Sequence, residues 1–430
     1  MGHRTRNRHQ PHAVRGGCLA LLTLLLVLFG GASATAQTPT APEGIAGTLA
    51  DAGTPLPGVT ITADQGGTEV GSVQTDPQGR FRIPVPGPGS YTVRLDTATL
   101  PEGLGVRVAE RTVEVAAGRT NQPALFLVGA DLAQTDSRLD RAPQLLVGGF
   151  QFGLVLAMAA IGLSLIFGTT GLTNFAHGEL VTGGALLGYV VNVGLGLNLI
   201  PATVIAVLVG GLAGALLDRG LWAPLRRRGT GLIAALIVSI GLSFVLRYTY
   251  LLLFGGSSRS YDQYALQSPI NIGPVGVLPR DLAIMAISIV VLTGIGLALQ
   301  RTRFGKATRA VADNPALAAS SGIDVDRVIT IVWIFGTMLA VLGGVFLALS
   351  QQVGWQLGQN ALLLLFAGVT LGGLGTAYGA LVGSLVIGVF TQLSTLFIRA
   401  ELQVVGALLI LIVILIVRPQ GILGSRERVG

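Results

Sequence analysis

From Gln144 to Val417 the chain consists of long apolar blocks broken by short polar or glycine-rich stretches. Nine blocks read as helical membrane segments: 145–167, 177–197, 200–218, 230–254, 281–300, 328–350, 361–375, 377–398 and 401–417. Most approach the roughly 20 residues a helix needs to cross the hydrocarbon core. Segment 361–375 is short and is expected to be re-entrant or broken. Upstream the pattern changes to period-two alternation, at 58–63, 79–83 and 90–95. Turn signals at Asp76-Pro77-Gln78-Gly79 and Pro86-Gly87-Pro88-Gly89 separate these runs. Short strands at that spacing predict a small antiparallel β-sandwich.

Before the sandwich, Arg4, Arg6, Arg8 and Arg15 precede an apolar run over 18–29, and Ala34-Thr35-Ala36 follows. A basic start, a run too short to span and an A-x-A pattern read as a cleaved signal peptide, with an uncleaved anchor helix as the rival. The expected organisation is therefore a signal peptide at 1–36, a β-sandwich at 37–130, a linker at 131–143 and a transmembrane domain at 144–430. The fold class is a polytopic α-helical membrane protein of about nine segments, preceded by a small exported all-β domain.

Composition strengthens this. Charged residues are 11% and apolar residues 51% of the chain, against about 25% charged in soluble domains. Cys18 is the single cysteine, so no intrachain disulfide forms. The net charge is +7, yet the basic residues sit in short loops between apolar blocks rather than on one solvated face, which excludes nucleic acid as a partner. Their placement sets orientation instead. Arg219, Arg226, Arg227, Arg228, Arg301, Arg303, Lys306, Arg309, Arg327, Arg418, Arg426 and Arg428 mark one side, and Arg259, Arg280 and Arg399 the other. The first side is expected to be cytoplasmic. The sandwich then lies outside and the C-terminus inside, which needs an odd number of crossings, and nine fits.

Two constellations could carry chemistry. The first is Asn174-Phe175-Ala176-His177-Gly178-Glu179. Glu179 is an acidic residue well inside an apolar hairpin, where a carboxylate is costly and marks function by default. The alternative is structural: Thr173 or Asn174 caps a helix and Glu179 sits near its positive end. One His and one Glu two apart lack the partners for a metal site, and no cofactor is expected. A weak repeat at an offset of 201 matches Ala176–Val181 to Ala377–Val382 and Gly171 to Gly372. Paired glycine-interrupted segments point to a translocation path, so Asn174, His177, Glu179, Gly372, Gly373 and Tyr378 are candidate pathway residues. The alternative is that small residues only allow close helix packing.

The second constellation is the loop 301–327, which holds Arg309 and a short helix of its own. Asp313 or Asn314 suits the N-cap, Pro315 the first helical position and Gly322 the stop. Leu317 and Ala318 give it an apolar face. It is either a docking element for a cytoplasmic partner or a plain connector. Gly305-Lys306 does not complete a phosphate loop, since position 300 is Gln and 307 is Ala. With no nucleotide motif and no catalytic cluster, the chain is not expected to be an enzyme, and energy must come from a partner or a gradient.

The runs GLTNFAHGEL, APLRRR, RTRFGKATRAVADNPALAASSGIDVDRVI, LGGLGTAYGALVGS and VRPQGILG, in this order from about 145 to 425, resemble the branched-chain amino-acid ABC transporter permease family. That resemblance implies a plasma-membrane subunit that pairs with a second permease, two cytoplasmic ATP-binding-cassette ATPases and an external solute-binding protein. The family's coupling loop falls on Arg309 to Ile323, which implies roles for Arg309, Asp313, Asn314, Pro315, Leu317, Ala318 and Gly322. The chain departs from the family at Thr391-Gln392, where an acidic residue is common. A sister group for urea and short amides usually has Met at the position of Phe175. Urea uptake is the rival within transport, and a membrane receptor the rival outside it. Separately, PLPGVTITA and TDPQGRFRIPVPGPGSYTVRL resemble the carboxypeptidase-regulatory-like domain, a transthyretin-like sandwich, which implies a fold and little about function.

Overall fold

A computed structural model describes residues 43–51, 54–101, 103–106, 108–115, 122–126, 128–129, 141–264, 267–399, 402–417 and 421–423. The signal-peptide segment 1–36, linker residues 131–140, and Arg418, Arg426 and Arg428 lie outside them. The chain divides into two compact units. One is helical, and the other joins the N-terminal β region to the stretch 267–279.

The β unit is built from alternation. Strands β1 (Gly44–Thr48), β2 (Thr60–Gln65), β3 (Thr68–Gln74), β4 (Arg80–Pro84), β5 (Gly89–Leu95), β6 (Glu110–Val115) and β7 (Gln122–Pro123) form two sheets. One has the order β7-β1-β4 and the other β3-β2-β5-β6. In β4, Phe81 and Ile83 point inward while Arg80 and Arg82 are exposed. In β5, Tyr91, Val93 and Leu95 point inward. These meet Ile45, Ile61, Val113 and Phe126 in a single apolar core. The expected turn at Asp76 is present. Its Oδ1 accepts the backbone N–H groups of Gln78 at 2.9 Å and Arg80 at 2.8 Å, and Gly79 takes φ +72°, a region open to glycine at no steric cost. A hairpin, β8 (Ile270–Ile272) with β9 (Val275–Val277), belongs to the same unit.

The helical unit contains α1 (Ala142–Thr170), α2 (His177–Tyr189), α3 (Leu199–Leu217), α4 (Leu232–Phe254), α5 (Pro279–Arg301), α6 (Arg303–Asp313), α7 (Pro315–Ser320), α8 (Val325–Gln351), α9 (Leu357–Gly372), α10 (Ala377–Ser394) and α11 (Gln403–Val417). Six stretches, α1, α3 with its continuation to Arg227, α4, α5, α8 and α10, are long and apolar enough to cross a membrane. Every predicted membrane segment contains a helix, but α2, α9 and α11 fall short of that length. In the first, predicted over 177–197, the α-helix stops at Tyr189 and a π-helical turn follows at Val190–Gly194. The segment predicted at 361–375 is a 16-residue helix that starts earlier, at Leu357.

The core of this unit lies around α1, α8 and α9, whose inward faces are closely packed. Glycines set the spacing. A Cβ on Gly178 of α2 would lie 2.7 Å from the Gly358 carbonyl of α9, so only glycine allows these two backbones to meet. Asp218 in the continuation of α3 is fully buried; it receives Arg226 of the same continuation at 2.7 Å and the Thr330 hydroxyl of α8 at 2.6 Å, and Trp222 stacks on Trp333 between the same two helices. Both oxygens of the Asp218 carboxylate are hydrogen-bonded, Oδ1 by Arg226 and Oδ2 by Thr330, as a charge removed from water requires.

Candidate functional site

After α1 the chain turns at Gly171, with φ +68°, and runs through Leu172–Ala176 before α2 begins at His177. Ser239 of α4 holds this run: its Oγ accepts the Phe175 N–H at 3.1 Å. Asn174 is buried, and its Oδ1 accepts the Ala176 N–H at 3.1 Å. The N-cap of α2 is Ala176, with no side-chain cap bond. This corrects the expectation of a cap from Thr173 or Asn174; Asn174 stabilises the turn leading into the helix instead.

His177 is fully buried and its Nε2 lies 2.9 Å from the Ala159 carbonyl of α1. A carbonyl only accepts, so Nε2 carries the hydrogen and the ring is fixed in one tautomer. The bond ties α2 to α1. Glu179, two residues on, points elsewhere. Its Oε1 accepts Arg247 Nε at 2.9 Å and the Ser243 hydroxyl at 3.3 Å, both from α4. Arg247 Nη2 also donates to Ser243 Oγ at 2.9 Å and to Gln359 Oε1 on α9. The Tyr250 hydroxyl donates to the Glu179 backbone carbonyl at 3.1 Å. The carboxylate is fully buried, and the Arg247 side chain is 13% exposed. Three helices thus converge on one charged pair. Arg247 lies 15 residues from Leu232 and seven from Phe254, about 22 and 10 Å from the two ends of α4.

Arg247 is the residue that reading the sequence misses. Its signal is plain in retrospect: an arginine inside the apolar block 230–254, where an isolated charge needs a partner. Gln359 gives no comparable signal, because its role depends on α9 approaching α2.

Gly372, Gly373 and Tyr378 belong to a different place. Gly372 is 13 residues beyond Gln359 on α9, about 20 Å along the axis. Gly373 takes φ +111°. The break Gly373–Thr376 is held on one side by α1, where Ser164 Oγ donates to the Thr376 carbonyl at 3.0 Å. On the other side Ile422 and Leu423 donate to the carbonyls of Leu371 and Gly372 at 2.7 and 2.9 Å. Tyr378, in the first turn of α10, donates to the Gly296 carbonyl of α5 at 2.9 Å. It lines an apolar groove of about 340 Å³ with Leu154, Leu292 and Leu381. The repeat pairs the positive-φ Gly171 with the helical Gly372, one residue before the positive-φ Gly373, and it does not bring the six candidates together.

In the loop 301–327 the expected short helix is α7, and a second, unexpected helix, α6, precedes it. Arg309 donates from Nη1 to the Leu299 carbonyl at 2.8 Å, fastening α6 to the end of α5. Asp313 is the last residue of α6 and is exposed. Asn314, not Asp313, caps α7: its Oδ1 accepts the Leu317 N–H at 3.0 Å. Pro315 follows at N1, and Gly322 takes φ +85° just past the end. Leu317 is exposed and Ala318 is buried in the main core. The apolar face read from the sequence is therefore split: Ala318 belongs to this chain's own packing, and Leu317 faces outward with Pro315, Ala316 and Ala319. Among the described residues no cluster of His, Cys, Asp and Glu is grouped to hold a metal.

Membrane-length helices packed through glycines around a buried charged pair, with a short capped helix exposed between two of them, define a polytopic membrane protein of the transport class. Comparison with known proteins gives the family. The chain belongs to the branched-chain amino acid transport system / permease component family, whose profile covers residues 145–417. The carboxypeptidase regulatory-like domain matches residues 44–126. The chain is 29% identical over 303 residues to the high-affinity branched-chain amino acid transport system permease protein LivH of Salmonella typhimurium, covering 66% of this chain and 96% of that protein. It is 28% identical over 297 residues to the corresponding permease protein BraD of Pseudomonas aeruginosa, with the same coverage. The ribose import permease protein RbsC of Escherichia coli K12 matches at 28% over 275 residues, 61% of this chain and 82% of that protein.

Proposed function

We propose that this chain is the transmembrane permease subunit of an ATP-binding-cassette importer for branched-chain or related amino acids. It sits in the plasma membrane as a multi-pass subunit beside a second permease, two cytoplasmic ATPases and an extracytoplasmic solute-binding protein. The observation that carries the coupling role is α7. It has its own cap and stop, it lies between membrane-length helices α5 and α8, and all its residues but Ala318 are exposed. A short helix with an exposed apolar face fits helix-in-groove docking, and Leu317 would lead that contact while Asn314, Pro315 and Gly322 set its geometry. Arg309 and Asp313 orient it from α6.

Asn174, His177 and Glu179, with Arg247 and Gln359, form the substrate pathway at mid-helix depth. Gly372, Gly373 and Tyr378 form its narrow end near the coupling side. We propose the domain limits 1–36, 37–130, 131–143 and 144–430, with nine crossings, the sandwich outside and the C-terminus inside. Phe175, with its ring 5.1 Å from Phe366, supports amino acids over urea. The test is reconstitution of this chain with the ATPases, permease and binding protein encoded beside it. ATP-dependent accumulation of labelled leucine, isoleucine or valine supports the reading. Accumulation of urea alone, or of none of these, overturns it.

A further inference from the structure

Glu179 and Arg247 leave one half of their pair unused. Glu179 Oε1 receives Arg247 and Ser243, while Oε2 of the same fully buried carboxylate has no hydrogen-bond partner. A buried charged oxygen left without a donor is costly, and such groups in native structures call for a ligand or a mechanism. Arg247 donates through Nε to Glu179 and through Nη2 to Ser243 and Gln359, with its guanidinium 5.5 Å above the Phe244 ring. The Phe175 backbone bonds Ser239, which is one turn before Ser243 on α4. Ser239 is eight residues from Arg247 on α4, about 12 Å along the axis, and the half-buried Phe175 and Phe366 rings lie 5.1 Å apart.

We propose that the Glu179–Arg247 pair recognises the free α-ammonium and α-carboxylate of an amino acid. The proposal deepens the permease reading above and rests on it. Glu179 Oε2 accepts the ammonium, and the guanidinium of Arg247 takes the carboxylate. Charge balance selects this ligand. The pair has no net charge, and a zwitterion adds none, so every buried charge keeps an opposite partner as the ligand enters and leaves. An amine or a carboxylic acid alone would leave one charge uncompensated at membrane depth. Urea carries no charge and would offer neither the carboxylate nor the ammonium that the pair would match.

Two measurements on the reconstituted ATPase–permease assembly test this. The first is competition for labelled leucine binding in the absence of the solute-binding protein. Unlabelled leucine should compete, while isoamylamine (no carboxylate) and isocaproate (no ammonium) should be weaker by about 100-fold or more, as when a site's buried polar groups go unpaired. If either analogue competes as well as leucine, the proposal is wrong. The second uses Glu179→Gln, Arg247→Gln and the double variant. Single variants risk misfolding from an unpaired charge, whereas the double variant replaces an ion pair with two amides of similar size. A merely structural pair predicts that the double variant regains leucine import. The recognition role predicts an assembly that co-purifies and melts like wild type yet imports leucine at least about tenfold more slowly. Import by the double variant within about twofold of wild type would overturn the proposal. Failure of the wild-type assembly to import any branched-chain amino acid would instead reject the permease reading itself, and this proposal with it.

Discussion

Leu317 and Ala318 are consecutive residues on α7 with opposite fates: Leu317 is 64% exposed and Ala318 is 3% exposed. The direction of each side chain separates docking from folding. Leu317→Glu places a charge on the outward face and should leave assembly of the helical unit intact. It should abolish stimulation of ATP hydrolysis by loaded binding protein while basal hydrolysis of the ATPases persists. Ala318→Glu buries a charge against this chain's own core, so it should lower expression and melting temperature before any coupling is measured. ATPase assays with thermal melting of both variants decide. Full substrate stimulation in Leu317→Glu would return α7 to the status of a connector.

The α2–α9 contact makes a second prediction. A Cβ on Gly358 would fall on the Gly178 carbonyl and reach Thr182 Oγ1 at 2.9 Å. Gly358→Ala should therefore force the helices apart and cost about 1–3 kcal/mol, as overpacking does. Because Gln359 is the next residue, the same shift should weaken its bond to Arg247 and reduce transport. Gly241 on α4 is the control, since nothing lies within 4 Å of a Cβ built there. Gly241→Ala should be neutral or stabilising, given the roughly 0.5–1 kcal/mol preference for Ala in a helix. Equal melting temperatures for the two variants would mean that the contact does not carry the packing.

Much of this was legible from the sequence for physical reasons. Long apolar blocks favour helices, so each predicted block contains one, although six stretches reach membrane-crossing length. Alternation in 79–83 and 90–95 exposed the sandwich strands β4 and β5. Asn314, Pro315 and Gly322 encoded α7 locally, because caps and stops depend on neighbours in sequence. What was hidden depends on long-range approach. The Gln359 contact exists because Gly178 and Gly358 let two helices touch, and no local pattern announces a pairing across 180 residues. The split between Leu317 and Ala318 follows from where α7 docks, and two adjacent apolar residues do not reveal that.

The turn at Asp76 should respond to acid. The Arg80 backbone N–H, aided by the Arg80 guanidinium and the Gln78 N–H, holds the Asp76 carboxyl below its ordinary value of 3.8. A group whose folded value lies below its unfolded one contributes stability above about pH 4. That contribution is lost as pH falls through the lower folded value. Hydrogen exchange over residues 78–82 should therefore be slower in wild type than in Asp76→Asn at neutral pH. The gap should close as pH falls below 3.8. A gap that persists at the lowest pH would show that the ionised carboxylate does not hold this turn.

Orientation is the last prediction, and it follows from charge placement rather than from any single contact. Arg226 and Arg227 at the end of the α3 continuation pair with Asp326 at the start of α8, at 3.6 and 3.2 Å. This joins two of the basic loops at one end of the helical unit, where Arg309 and the exposed α7 also belong by chain connection. Arginine-rich ends stay on the cytoplasmic side because moving several guanidinium groups across the bilayer is unfavourable. Ser257 follows α4 at the opposite end and is exposed, and Ser320 closes α7 and is exposed. In a Cys18→Ser background, Ser257→Cys should react with an impermeant maleimide added to intact cells. Ser320→Cys should react only after the membrane is opened. Labelling of Ser320→Cys in intact cells would invert the topology, putting α7 out of reach of any cytoplasmic ATPase, and the coupling role would fall with it.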